Sequence, residues 1–260
     1  MRLGSIALFL CIMLACGDAE ASCRSVEPPS RSLTAQLGAT TDTLTGNHSD
    51  WNEQYLILST RAGPAHASYA SVTADQRFGL SDVTYEAGTY FLLAPKLYAD
   101  AIASFSPTHQ VLPNSTLQGG LDLRLDRGYG IQAGFTQRNY PTAVAGILTT
   151  GADRYAGNDH VSITITAVHL SNVPGIAMSA GIAYARTLRC DDLYLAVSGG
   201  RDVENTGVGA NVAIYQTINY TASVNHWLSP FTAIRLGAGW YLLTGAYDRF
   251  EVHLAINQRF

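Results

Sequence analysis

Along the last eleven residues, Phe250-Glu-Val-His-Leu-Ala-Ile-Asn-Gln-Arg-Phe260, Phe250, Val252, Leu254 and Ile256 take every second position, and Gln258 interrupts once before Phe260. Glu251, His253, Ala255, Asn257 and Arg259 fall between them. A period of two is that of a strand with one apolar and one wet face. The length suits the ~9–11 residues a tilted strand needs to cross a bilayer. The same unit recurs upstream, in runs at 33–44, 53–61, 66–76, 82–93, 98–105, 117–125, 129–138, 143–155, 161–168, 176–186, 193–199, 208–224 and 233–241. With the last run this predicts an all-β chain, a transmembrane antiparallel β-barrel of about 14 strands, or 12 if the first hairpin is not embedded.

Charges decide which face is wet. In 117–125, Leu121, Leu123 and Leu125 oppose Asp122, Arg124 and Asp126; in 82–93, Val83, Tyr85, Ala87 and Phe91 oppose Thr84, Glu86, Gly88 and Tyr90. On a lipid face each charge near the midplane would cost on the order of 2–4 kcal/mol, so Glu86, Asp122, Arg124 and Arg235 are expected to line a polar lumen. There they either confer selectivity or cross-pair and fill the interior. Short turns at 63–64, 94–95, 126–128, 157–158, 190–192 and 229–230 fall on one end, longer polar loops on the other. An even strand number then puts both termini in the periplasm. A soluble sandwich or lipocalin-like barrel also alternates, but strand number and charges on a would-be packed face argue against it.

Composition adds to this picture. Some 47% of residues are hydrophobic and 14% charged, yet the one long apolar run is Ile6–Ala15, between Arg2 and Ala19-Glu20-Ala21. That order reads as a secretory signal peptide cleaved after Ala21. Residues 1–21 are thus the signal, 22–32 a Pro-containing periplasmic tail and 33–260 the barrel. Net charge is −4, which gives no basic patch for nucleic acid. Cys23 and Cys190 would remain after cleavage, either bridged or as free thiols.

Chemistry-bearing candidates are few. His109 lies between Pro107 and Pro113 in a stiff loop, as a base or ligand or simply as part of an inward rim. Arg201, Asp202 and Glu204 crowd a segment read as a charged loop over 201–207, able to hold a saccharide or lipopolysaccharide phosphate or to pair among themselves. Ser104 or Ser106 with His109, and His48 and Ser49 with Asp50, are close in sequence but match no hydrolase motif. No catalytic residue, metal site or cofactor is expected.

The terminal strand ending in Phe260 resembles the carboxy-terminal targeting strand of bacterial outer-membrane barrels, through Phe250, Val252, Leu254, Ile256 and Phe260. Four further segments resemble the YaiO family. They are Arg77-Phe78-Gly79-Leu80-Ser81-Asp82; Ser106-Pro107-Thr108-His109 with Val111-Leu112-Pro113; Gly200-Arg201-Asp202-Val203-Glu204-Asn205; and His226-Trp227-Leu228-Ser229-Pro230. The resemblance covers residues 33–260 and implies an outer-membrane barrel without fixing an activity. Its expected partners are outer-membrane lipids, the barrel assembly machinery through the last strand, and a small polar solute or saccharide. A passive pore is the first expectation. A closed surface-exposed binding or envelope-assembly component is the second, and a lipid-modifying enzyme a distant third.

Overall fold

The computed structural model describes residues 31–46, 48–63, 65–205 and 212–260. These form β1 (Arg31–Leu44), β2 (Trp51–Ala62), β3 (His66–Arg77), β4 (Leu80–Ala94), β5 (Leu97–Phe105), β6 (Ser115–Arg124) and β7 (Tyr129–Asn139). Then follow β8 (Val144–Ala156), β9 (Asp159–Leu170), β10 (Val173–Thr187), β11 (Asp191–Asn205), β12 (Val212–Trp227), β13 (Thr232–Leu243) and β14 (Asp248–Arg259). Every strand pairs antiparallel with its sequence neighbours, and β1 pairs with β14 to close a 14-stranded barrel. Closure matters because lipid offers no partner for an open edge, and a closed ladder satisfies every backbone N–H and C=O. The seam runs from Thr34↔Arg259 to Leu44↔Arg249, and the Phe260 N–H adds a bond to the Leu33 carbonyl at 2.8 Å.

The alternation sorts as the sequence pattern requires. Phe250, Val252, Leu254 and Ile256 are each about half exposed on the outer face, while Glu251, His253 and Ala255 between them point inward. Tyr85, Phe105, Tyr220, Trp240 and Phe250 band the outside near one rim, and Tyr129, Phe231 and Phe260 near the other, all exposed. Aromatic rings at two levels are what the two membrane–water interfaces favour. Both ends of the described chain lie at one rim, called here the terminal end; the opposite rim is the loop end.

Three expectations shift. Residues 201–205 are not loop: β11 runs on to Asn205, paired with β12 through Asn205↔Val212, because cross-strand partners continue past the point where charge density suggested a turn. β10 begins at Val173, ahead of the expected 176–186 run, since the register slips between Val173 and Ala177 and Pro174 is carried within that irregularity. Asp126 does not share the inner face with Asp122 and Arg124; it sits in a short 3₁₀ turn at Asp126–Gly128. There Lys96 donates a 2.6 Å hydrogen bond that holds the Asp126 carboxyl below its usual range. The signal segment, most of the tail and Cys23 lie outside the described residues, while Arg31 and Ser32 already belong to β1. Cys190 is disulfide-bonded.

The wall is uneven. β5 and β6 have 9 and 10 residues, whereas β10 and β11 have 15 and β12 has 16. The loop end is therefore notched at β5–β6, and the 106–114 loop lies there.

Candidate functional site

The notch is filled by a loop with one fastening point. Asp82, the third residue of β4, is 1% exposed. Its carboxylate accepts backbone N–H bonds from Gln110 (2.8 Å), Val111 (2.8 Å) and Leu112 (2.9 Å). The Thr108 hydroxyl accepts the Val83 N–H at 3.1 Å, which ties the same loop to the same strand. Ser106, wholly buried, turns the chain by accepting the His109 N–H on its hydroxyl at 3.2 Å, and the His109 ring lies 3.2 Å from the Ser106 carbonyl. His109 has a φ of 33°, in the left-handed region. The loop is a rim element held from below, and the Ser106 hydroxyl serves the loop backbone, not the imidazole.

Beside it, around β14 and β1–β4, the loop end carries an aromatic cap. Leu44, Trp51, Leu243 and Tyr247 are buried together, with Phe78 packed against them. Trp51 meets Phe78 edge-on at 5.1 Å and Tyr247 at 5.8 Å, and His48 lies 5.2 Å from Tyr247. Arg77 and Arg249 stack on the Trp51 ring at 4.8 and 5.0 Å. Beneath the indole is a cavity of about 150 Å³ lined by Asp42, Glu53, Asp75 and Glu251 as well as the two arginines. Asp75 pairs with Arg77 at 2.9 Å. Across the mouth, Ala143, Ala145, Leu170 and Val212 form a second buried apolar group, with Val203 against it.

Below these caps the lumen wall is polar, and its large side chains lie flat. The pairing sets a glycine directly opposite a bulky inward residue at Gly38↔Tyr55, Gly88↔Tyr69, Gly120↔Asp100, Gly130↔Asp153 and Gly237↔His253. In each pair a Cβ on the glycine would collide with the partner's ring or carboxylate, so the missing side chain is the seat in which the neighbour rests. Tyr69, seated on Gly88, donates a 2.7 Å bond to Glu86. Near the terminal end, Arg124 pairs with Asp122 and with Asp153 at 2.9 Å and sits over the Tyr155 ring at 5.2 Å. Tyr155 in turn stacks on His160 at 4.0 Å, and His160 reaches Asp153 at 3.3 Å.

All four expected lumen residues thus face inward, in different company. Glu86 is bonded to Tyr69, and Asp122 and Arg124 pair with each other. Arg235, inward on β13, is exposed and has no carboxylate within ion-pair distance among the described residues. His109 is a loop-turn residue away from these groups. Arg201 is exposed at the start of the β11 extension, and the Asp202 carboxylate accepts the Val203 N–H at 2.7 Å and feels Arg138. Glu204 lies in β11, but its side chain, and with it the expected Arg201–Glu204 pairing, lies outside the described residues. Among the described residues no cluster of His, Cys, Asp or Glu is arranged to hold a metal. Sequence reasoning missed Asp82, Asp100, Asp153 and His160. Each does its work through a partner distant in sequence, on another strand or, for Asp82, in the 106–114 loop, although Asp82 ends one segment that carried the family resemblance and clamps another.

A family model, the YaiO membrane beta barrel domain, matches residues 33–204, well over half of the chain. The chain belongs to this family. Among solved structures, the CymD monoaromatic hydrocarbon channel superposes with a TM-score of 0.60 at 8% identity, over 88% of this chain and 88% of that one. OpdO of Pseudomonas aeruginosa gives 0.51 at 9% identity over 88% and 96%. An anion-selective porin from Comamonas acidovorans gives 0.50 at 9% over 88% and 99%. At such identities the likeness is one of fold. No curated protein matches the chain. The YaiO membership makes the barrel a membrane barrel, and the segment 77–82 and the 106–113 loop, both within the matched region, meet at Asp82.

Proposed function

We propose that this YaiO-family barrel is a passive channel of the outer membrane for small polar solutes. The seating of inward side chains on glycines supports this reading best, because it keeps bulk against the wall. Fourteen strands spaced ~4.8 Å apart and tilted ~40° enclose a backbone cylinder about 28 Å across. Tyr55, Tyr69 and Asp100 laid flat leave most of that width to water, and Arg124 is drawn to the wall by its two carboxylates. The porin and channel relatives in fold agree with the reading. Solutes enter past the caps at the loop end, the outward face meets outer-membrane lipid, and β14 is the strand offered to the barrel assembly machinery.

The test is single-channel conductance of purified, heat-modifiable protein in a planar bilayer, with Arg124→Ala alongside. Stable steps whose ion selectivity changes in the variant support the channel. A silent bilayer from folded protein refutes it and leaves the second reading, a closed saccharide-binding or envelope-assembly component, which the Asp82-fastened loop and the two apolar caps favour. A lipid-modifying enzyme is not part of the proposal, since His109 is turned to the Ser106 carbonyl.

A further inference from the structure

We infer that the mid-lumen is a charge-separated selectivity zone, with Glu86 and Asp100 on one wall and Arg235 on the facing one. The inference rests on the channel reading and deepens it. The chain supplies the placement through register. Asp100 is the fourth residue of β5 counted from Leu97, and Arg235 the fourth of β13 counted from Thr232; both strands rise from the terminal end. Pairing between neighbours is continuous around the ring, apart from the slips in β4–β5 and β9–β10. Equal counts therefore mean nearly equal depth, and β5 and β13 stand eight places apart one way round and six the other. Asp100 thus faces Arg235 across the water.

The neighbours sharpen the polarity. Asp100 is pressed against Gly120, and its Oδ2 has no hydrogen-bond partner. It acts electrostatically on Tyr69, the residue that bonds Glu86 one strand away, so Glu86 and Asp100 form one acidic arc. The next carboxylates along, Asp122 and Asp153, share Arg124 and are largely compensated. On the facing wall Arg235 has Asn225 and Ala255 beside it in the register, and it acts electrostatically on the His253 ring. Asp100 lies flat against Gly120, and six to eight strands of a cylinder about 28 Å across separate it from Arg235, too far for direct pairing, so each wall acts on passing solute. Cations travel by the β4–β5 wall and anions by Arg235. A solute carrying both an ammonium and a carboxylate crosses with its ammonium turned toward Asp100.

The experiment is the reversal potential in a salt gradient for wild type, Asp100→Asn, Arg235→Gln and the double variant. A unit charge at ~8 Å in water changes local ion occupancy about twofold. Asp100→Asn should therefore lower the cation-to-anion permeability ratio about twofold, Arg235→Gln should raise it by a similar factor, and the double variant should return close to wild type. Conducting channels in which both ratios stay put, or shift the same way, overturn the two-wall arrangement while leaving the channel standing. No conductance in any of the four refutes the channel and this inference with it.

Discussion

Replacing Asp82 by Asn removes the charge and turns one of its two oxygens into a donor. In the wild type Oδ1 takes the Gln110 N–H and Oδ2 takes those of Val111 and Leu112. Whichever oxygen becomes the amide nitrogen, at least one backbone N–H faces a donor and loses its acceptor. A hydrogen bond to a charged group is worth roughly 1.5–3 kcal/mol, and three N–H groups sharing one carboxylate do not add in full. The loss of one such bond should shift the local opening equilibrium by about ten- to a hundredfold. Amide hydrogen exchange in micelles reads this directly at 110–112. Their protection should fall by that factor, while amides of the adjoining β4–β5 ladder keep theirs, since Asp82 side-chain bonds contribute nothing to strand pairing. Asp82→Ala should extend the loss to all three amides and add noise to an open channel. If exchange at Gln110, Val111 and Leu112 is unchanged in Asp82→Asn, the loop is held by its own turn at Ser106 and His109 and the clamp reading fails.

The remaining predictions concern the wall, the cap and the terminal rim. Gly88→Ala puts a methyl where Tyr69 rests, so the ring must lift toward the lumen; urea unfolding in liposomes should show a loss of about 1–3 kcal/mol and a reduced unitary conductance. Gly146→Ala, whose added carbon would meet nothing nearer than Phe135 at 3.7 Å, is the matched control and should be neutral; equal effects at both would refute the seating. Trp51→Ala removes the centre of the cap and should cost about 3 kcal/mol, read by thermal unfolding on heat-modifiable gels, with Trp51→Phe costing clearly less because the unpartnered indole N–H goes while most of the ring stays. The Lys96–Asp126 pair predicts an acid-side dependence. Its lowered carboxyl makes the contribution fully present above about pH 4 and lost as pH falls through the folded value. Carbon-detected NMR titration of Asp126 should move upward in Lys96→Ala, and an unmoved titration would contradict the pairing.

How much of this is legible in the sequence differs by feature. Period-two alternation makes side-chain direction a local property, which is why the outward set Phe250 to Ile256 and the inward Glu86, Asp122, Arg124 and Arg235 can be read residue by residue. Company is not local. Arg124 finds Asp153 29 residues away and Asp82 finds Leu112 30 residues away, and neither separation carries a signal in one chain. The seats are hidden for the same reason. A glycine such as Gly88 or Gly120 looks like a weak point in a strand until the register sets Tyr69 or Asp100 against it. Charge density misleads at 201–205, where the strand continues beyond the span a membrane requires and its polar residues are those of an extension into water.

Depth in the lumen lies between these cases. In an up-and-down barrel whose strands pair in chain order, neighbours cannot slide independently, so height is set by the count from the last terminal-end turn. Asp100 follows the turn at Pro95-Lys96 and Arg235 the turn at Ser229-Pro230, each as the fourth residue of its strand. Both turns can be marked from Pro alone. The facing of the two charges is therefore a consequence of turn position and parity, both present in the sequence. What the sequence lacks is assurance that no bulge intervenes. The ring has slips at β4–β5 and β9–β10, and one arc from β5 to β13, through β14 and β1, crosses only the β4–β5 slip, near Leu92 at the terminal rim. That slip lies between Leu92 and Ala94, on the turn side of the Tyr90↔Asp100 pair, so the pairing that sets the height and inward parity of Asp100 is not broken by it.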